Sequence, residues 1–331
     1  MDDERIYLPL QGGGVVALER ETGDVAWTAP IESPWPPVTA PGMVVLATVD
    51  AIRACDATSG EERWVTPVAG LSAPLATDLN RVVAATADGE ALALRVDTGA
   101  VLWRRSLGSV SRHPAATAST RGLAFTLENG QVVMLNRDTG QTLWTRSLAG
   151  TLSAPAVARD RILVGSTSNF FHALDVETGA DTWTWRAGGD VIGAVAEGDV
   201  VYFASLDNVL RAVNRRSGNQ QWKTVIPTRP AAPPIALDGI VVVSGVAPRV
   251  DAFLGRTGAS QGDYTALADL EGIPLIDPVL KPYRVGMVAI TRDGRVTALR
   301  PTKMMMLDPP LVPVAQLPGR RIQRELLTRG S

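Results

Sequence analysis

The chain has 331 residues, 45% hydrophobic and 20% charged, with a formal net charge of −2 at pH 7. That balance supports a large buried core and supplies no basic block, so no nucleic-acid partner is expected. A single cysteine, Cys55, and two histidines exclude an intrachain disulfide and leave no Cys/His zinc set, so no metal is assigned.

The opening segment, MDDERIYLPL, has neither the basic stretch nor the apolar core of a signal peptide. The protein is therefore either cytoplasmic or has lost a targeting segment. Strands are predicted at 6–10, 14–19 and 24–28, with no inner strand before them. The glycine-rich QGGGVV (11–16) opens a strand, not a helix, so it reads as a hairpin turn and not as a phosphate loop. Beyond it, stretches such as RVVAATADGEALAL (81–94) alternate apolar and polar residues around a turn, as strand–turn–strand does. The fifth unit shows four strands, near 154–158, 161–167, 170–175 and 181–186. Turns between second and third strands read ADGE, LENG, LDN and RDG, all good tight-turn chemistry. The seventh unit is degraded, with Gly262 where earlier units have tryptophan, and the eighth has lost its T-G pair. Residues 319–331, GRRIQRELLTRGS, form a tail predicted as a short helix after a single domain over 1–318. No apolar run reaches the roughly 18 residues of a membrane helix, so no transmembrane segment is expected in this chain.

The units share one signature. A [TS]-G pair places glycines at 23, 60, 99, 140, 179, 218 and 258, spaced by 37 to 41 residues. That period suits a four-stranded propeller blade. Glycine in the turn takes the left-handed conformation that other residues resist. Four residues later stand Trp27, Trp64, Trp103, Trp144, Trp183 and Trp222. Six residues before each glycine stands a small residue, Ala17, Ala54, Ala93, Ala173, Ala212 or Ala252, with Met134 the exception. A hairpin sets the small residue opposite the large ring, which makes the tryptophans structural blade anchors. Counting third strands gives an all-β, eight-bladed β-propeller of four-stranded antiparallel blades. Closing it requires either that LVPVAQL (311–317) complete the first blade or that the chain extend upstream.

The alternation, the T-G turn and the tryptophan at a period near 40 resemble the PQQ-like, quinoprotein-type propeller repeat over about residues 5–307. The resemblance implies one of two branches. Quinoprotein dehydrogenases bind PQQ and calcium and oxidise alcohols or sugars. The non-enzymatic branch includes the outer-membrane assembly lipoprotein BamB, a scaffold in β-barrel assembly. Many dehydrogenases of the first branch carry adjacent cysteines and long insertions; this chain has neither, and its length matches the second branch. The expectation is a non-enzymatic envelope scaffold with a protein or peptide partner and no cofactor. It would be periplasmic or outer-membrane-associated if a targeting segment has been removed.

Other readings fit less well. A sensor or small-ligand-binding propeller is the alternative. A Ser/His/Asp site would need His113 or His172 as base, and His172 lies within a strand. MMM (304–306) is read as a degenerate closing strand before a soft-metal site. The binding surface is sought in linkers that join one blade to the next, because loops on a rigid frame commonly carry recognition. ESPWPPV (32–38), GSVSRHP (108–114) and PTRPAAP (227–233) stand out. Trp35, Arg112, His113 and Arg229 are the candidate lining of a mildly basic funnel for an acidic peptide, loop or small anion.

Overall fold

The computed structural model describes residues 2–10, 13–78, 80–118, 122–246 and 249–265, and the backbone of strands at 275–276, 287–290, 296–301 and 311–313. They fall into two compact units, 1–168 with 173–181, and 169–172 with 182–331. The first unit opens on a three-stranded sheet, Arg5–Pro9, Val15–Glu19 and Val25–Ala29. It continues with four-stranded blades 1 (38–67), 2 (76–106) and 3 (116–147) and with the first strands of blade 4 (156–186). The second unit takes the rest of blade 4 and blades 5 (191–225), 6 (235–265) and 7 (275–313). Each sheet is an antiparallel meander in chain order.

The propeller therefore has seven four-stranded blades, which corrects the expected eight. Counting third strands credited the N-terminal sheet with a blade, but that sheet has three strands among the described residues. The expected closing strand also belongs elsewhere. Leu311–Pro313 pairs with Leu299–Pro301 and completes blade 7, so it does not supply an inner strand to the first sheet. The MMM stretch and the tail 319–331 lie outside the described residues.

The repeat signature works through the hairpin of the third and fourth strands. Ala17 faces Trp27, Ala54 faces Trp64, Ala93 faces Trp103, Met134 faces Trp144 and Ala212 faces Trp222, each pair followed by a shift in register. The turn is held by its first side chain: Asp56 Oδ1 accepts from the Thr58 and Ser59 amides at 2.9 Å, and Asn136, Asp175 and Asn214 repeat this. Gly60 N–H closes the turn on Asp56 O at 2.9 Å, with φ at +75°.

Each tryptophan then locks its blade to the following one. Trp27 Nε1–H donates to Ala57 O, Trp64 to Val96 O, Trp103 to Arg137 O, Trp144 to Val176 O, Trp183 to Arg215 O and Trp222 to Gly255 O, at 2.7–3.0 Å. The acceptor is in every case the residue three before the next T-G glycine. The ring lies so close over that glycine that a Cβ on Gly140 would stand 2.7 Å from Trp103. Trp27, Trp64 and Trp103 are buried, and Trp144, Trp183 and Trp222 half-buried. Apolar residues of adjacent blades merge into shared clusters, such as Val83, Ala91 and Trp103 of blade 2 with Leu123, Phe125 and Leu135 of blade 3. Met134 fits where the other copies have alanine because Gly122, two strands into the same blade, gives up its Cβ to the Met134 sulfur.

Candidate interaction face

Antiparallel strands put each incoming linker beside the turn between second and third strands of its own blade. The backbone fixes that neighbourhood: Ala87 N–H bonds Gly70 O, Glu128 N–H bonds Val110 O, Thr167 N–H bonds Thr151 O, Leu206 N–H bonds Asp190 O and Val246 N–H bonds Arg229 O. An isolated bridge extends several linkers further, at Leu71, Ser111, Leu152 and Pro230. The linkers are thus held segments of the sheet ends, on the opposite end of the blades from the T-G turns.

In the first unit, Trp35 and His113 occupy equivalent linker positions. Ser33 Oγ donates to Trp35 O at 2.7 Å, and Ser111 Oγ donates to His113 O at 3.0 Å. The equivalent residue in the intervening linker is Ala73, so a blade separates the two rings. Trp35 is half-buried and packs on the core cluster that contains Val45, Val68 and Leu75. Arg112 is exposed, and its Nε donates to Glu128 Oε1 at 2.6 Å. The Glu128 carboxylate offsets its charge locally. His113 is half-buried, with Nε2 3.2 Å from Leu152 O in the next linker. A carbonyl only accepts, so Nε2 carries the proton. Burial pulls the His113 pKa below its usual value, against the opposing effect of that carbonyl. Arg229 is exposed in the second unit, on the linker entering blade 6.

Other linker contacts were not foreseen. Ser72 Oγ donates to Ser111 O at 2.7 Å, tying the linker of blade 2 to that of blade 3. In the second unit Asp207 receives Arg211 Nη2 at 2.6 Å, Ser205 Oγ at 2.6 Å and Gly188 N–H at 3.2 Å, and Arg211 lies over the Phe203 ring. Burial raises the pKa of Asp207, but these hydrogen bonds outweigh it and the net shift is down. The signal was in the sequence: a hydroxyl two residues before an aspartate recurs at Thr48–Asp50, Thr86–Asp88 and Ser205–Asp207.

The family model described as outer membrane protein assembly factor BamB matches residues 1–126 and 128–298. The chain belongs to the BamB family. The crystal structure of BamB from Moraxella catarrhalis is similar at 19% identity, covering 86% of this chain and 91% of that one, with a TM-score of 0.68. The computationally designed Ika8 protein matches at 16% identity over 90% and 93% of the chains, with a TM-score of 0.77. The quinohemoprotein alcohol dehydrogenase ADHIIG from Pseudomonas putida HK5 matches at 12% identity over 87% and 69%, with a TM-score of 0.69. No curated protein sequence matches. At these identities the likeness to solved structures is one of fold, and the fold is shared by BamB and by a quinoprotein enzyme alike.

Among the described residues, no three His, Cys, Asp or Glu side chains stand together to hold a metal ion. Cys55, the only cysteine, is fully buried, and burial pushes its thiol up to about 11. A quinone–calcium site backed by paired cysteines does not fit these residues. No helix among them is long and apolar enough to cross a membrane.

Proposed function

We propose that this BamB-family protein is a non-enzymatic scaffold of the bacterial envelope that binds a protein partner of the outer-membrane assembly machinery. The reading places it in the periplasm or at the outer membrane. What carries it is the extent of the family match, which runs from the N-terminal sheet to residue 298 with a single residue skipped. The linker face supports it physically. Its backbone is pinned by bridges and side-chain hydrogen bonds, so little ordering entropy is lost on docking. Trp35, Arg112 and His113 in the first unit and, separately, Arg229 in the second are the proposed contact residues, tryptophan and arginine being the types that dominate hot spots. The test is affinity purification of the tagged protein from crosslinked envelopes of its source organism. Outer-membrane assembly proteins should be enriched; dye reduction with alcohols and added PQQ and calcium, in their place, would overturn the reading.

A further inference from the structure

Blades 2, 3 and 5 build the turn between second and third strands in the same way. Gly89, Gly130 and Asn208 each donate N–H to the carbonyl three residues back, at Thr86, Leu127 and Ser205. Their own carbonyls each accept from the residue just past the outer strand, Leu107, Leu148 and Ile226. The residue before them is Asp88 in blade 2, Asp207 in blade 5 and Asn129 in blade 3. Asn129 is therefore an amide at a position where the other two blades carry a carboxylate.

Its neighbour and its exposure set Asn129 apart. The other asparagines of the chain precede arginine, phenylalanine, valine or glutamine, and only Asn129 precedes glycine. Glycine puts no side chain in the way of attack by its own backbone nitrogen. Asn129 is exposed, its Oδ1 accepts from the Gln131 N–H at 3.2 Å, and its Nδ2 donates to Gln131 Oε1 at 3.0 Å. The first of these bonds is an Asx-turn, which folds the side chain back around the Asn129–Gly130 peptide. It also polarises the amide carbonyl, as a donor aimed at a developing oxyanion does.

We propose that Asn129 is a site of spontaneous deamidation, set up by an exposed side chain that Gln131 folds back toward the unhindered Gly130 nitrogen. The Gly130 nitrogen bonds to Asn129 Cγ and gives up its proton to solvent base. The Cγ–Nδ2 bond breaks, and Nδ2 takes a proton from water and leaves as ammonia. Water then opens the cyclic imide, and residue 129 becomes a carboxylate. The turn accommodates a carboxylate there, because Asp88 and Asp207 hold the equivalent position. The new charge stands beside Glu128, whose carboxylate already neutralises Arg112. Deamidation thus turns a balanced pair on the linker face into a net negative patch. This inference does not depend on the identity of any partner.

Ageing the folded full chain in heavy-oxygen water at mildly alkaline pH, followed by peptide mass spectrometry, tests it. Residue 129 should lose its amide nitrogen and gain one heavy oxygen severalfold faster than any other asparagine, and faster still as pH rises. An acidic form one charge more negative should accumulate on anion exchange in step with it. Asn129→Gln, whose longer side chain would have to close a larger ring, should fail to produce that form. Heavy oxygen entering residue 129 no faster than Asn136 or Asn214, in the T-G turns, would overturn the proposal. So would an acidic form that arises equally in Asn129→Gln. The mass measurement is made on the parent, so it decides the matter even if the variant fails to fold.

Discussion

The two ends of each blade are built on opposite plans. At the T-G end one device recurs from blade to blade: a tryptophan N–H on the carbonyl three residues before the next glycine and a ring over that glycine, with a side-chain cap on the turn in blades 1, 3, 4 and 5. At the linker end the backbone bond from turn to linker recurs, but the side-chain contacts differ from blade to blade. Ser72 makes one, His113 another, packed Trp35 a third, and in the second unit Asp207 gathers Arg211 and Gly188. Uniform joints serve stability, because any blade must dock on any neighbour. Varied joints leave the outward side chains free to differ, which is what recognition needs.

If that contrast holds, the T-G end should be the sensitive one. Trp103→Ala removes a ring that is 6% exposed and leaves Arg137 O without its donor. Chemical denaturation should show a loss of about 3–5 kcal/mol, the range for large aromatic deletions in a core. Gly140→Ala forces a Cβ into Trp103 at a φ of +70°, and should cost about 1–3 kcal/mol by the same measurement. Ser72→Ala, at the linker end, leaves one buried carbonyl unpaired and should cost about 1 kcal/mol.

Acid should sharpen the comparison further. The Arg63 guanidinium and the turn amides hold Asp56 down to about 2. Its folded pKa lies below its unfolded value of about 3.9, so its contribution is present above that value and is lost as pH falls toward 2. NMR titration of the Asp56 carboxyl should give a midpoint near 2, and Arg63→Ala should move it up.

This division also explains what the sequence disclosed. Six copies of a fixed spacing between alanine, glycine and tryptophan reveal the hairpin and the blade, because local turn geometry sets that spacing. The count of eight blades does not hold, because a third strand can be counted in a sheet that has only three strands among the described residues. The destination of 311–313 depends on pairing with 299–301, which no local pattern encodes. Gly122 and Met134 compensate each other across two strands, so neither looks unusual alone. At the linkers, Arg112 could be picked out as a cation, but its neutralisation by Glu128 from the adjoining turn could not. Trp35 and His113 share a repeat position that becomes visible once Ser33 and Ser111 are seen making the same hydrogen bond.

The most direct test of the account measures stability and partner capture on the same two variants. One is Trp103→Ala; the other combines Trp35→Ala, Arg112→Ala and Arg229→Ala. The account predicts that the first lowers the unfolding midpoint sharply, and that the second lowers it less but abolishes enrichment of outer-membrane assembly proteins from crosslinked envelopes. A linker variant that captures those proteins as fully as the parent would contradict the claim that the varied ends of the blades do the recognising.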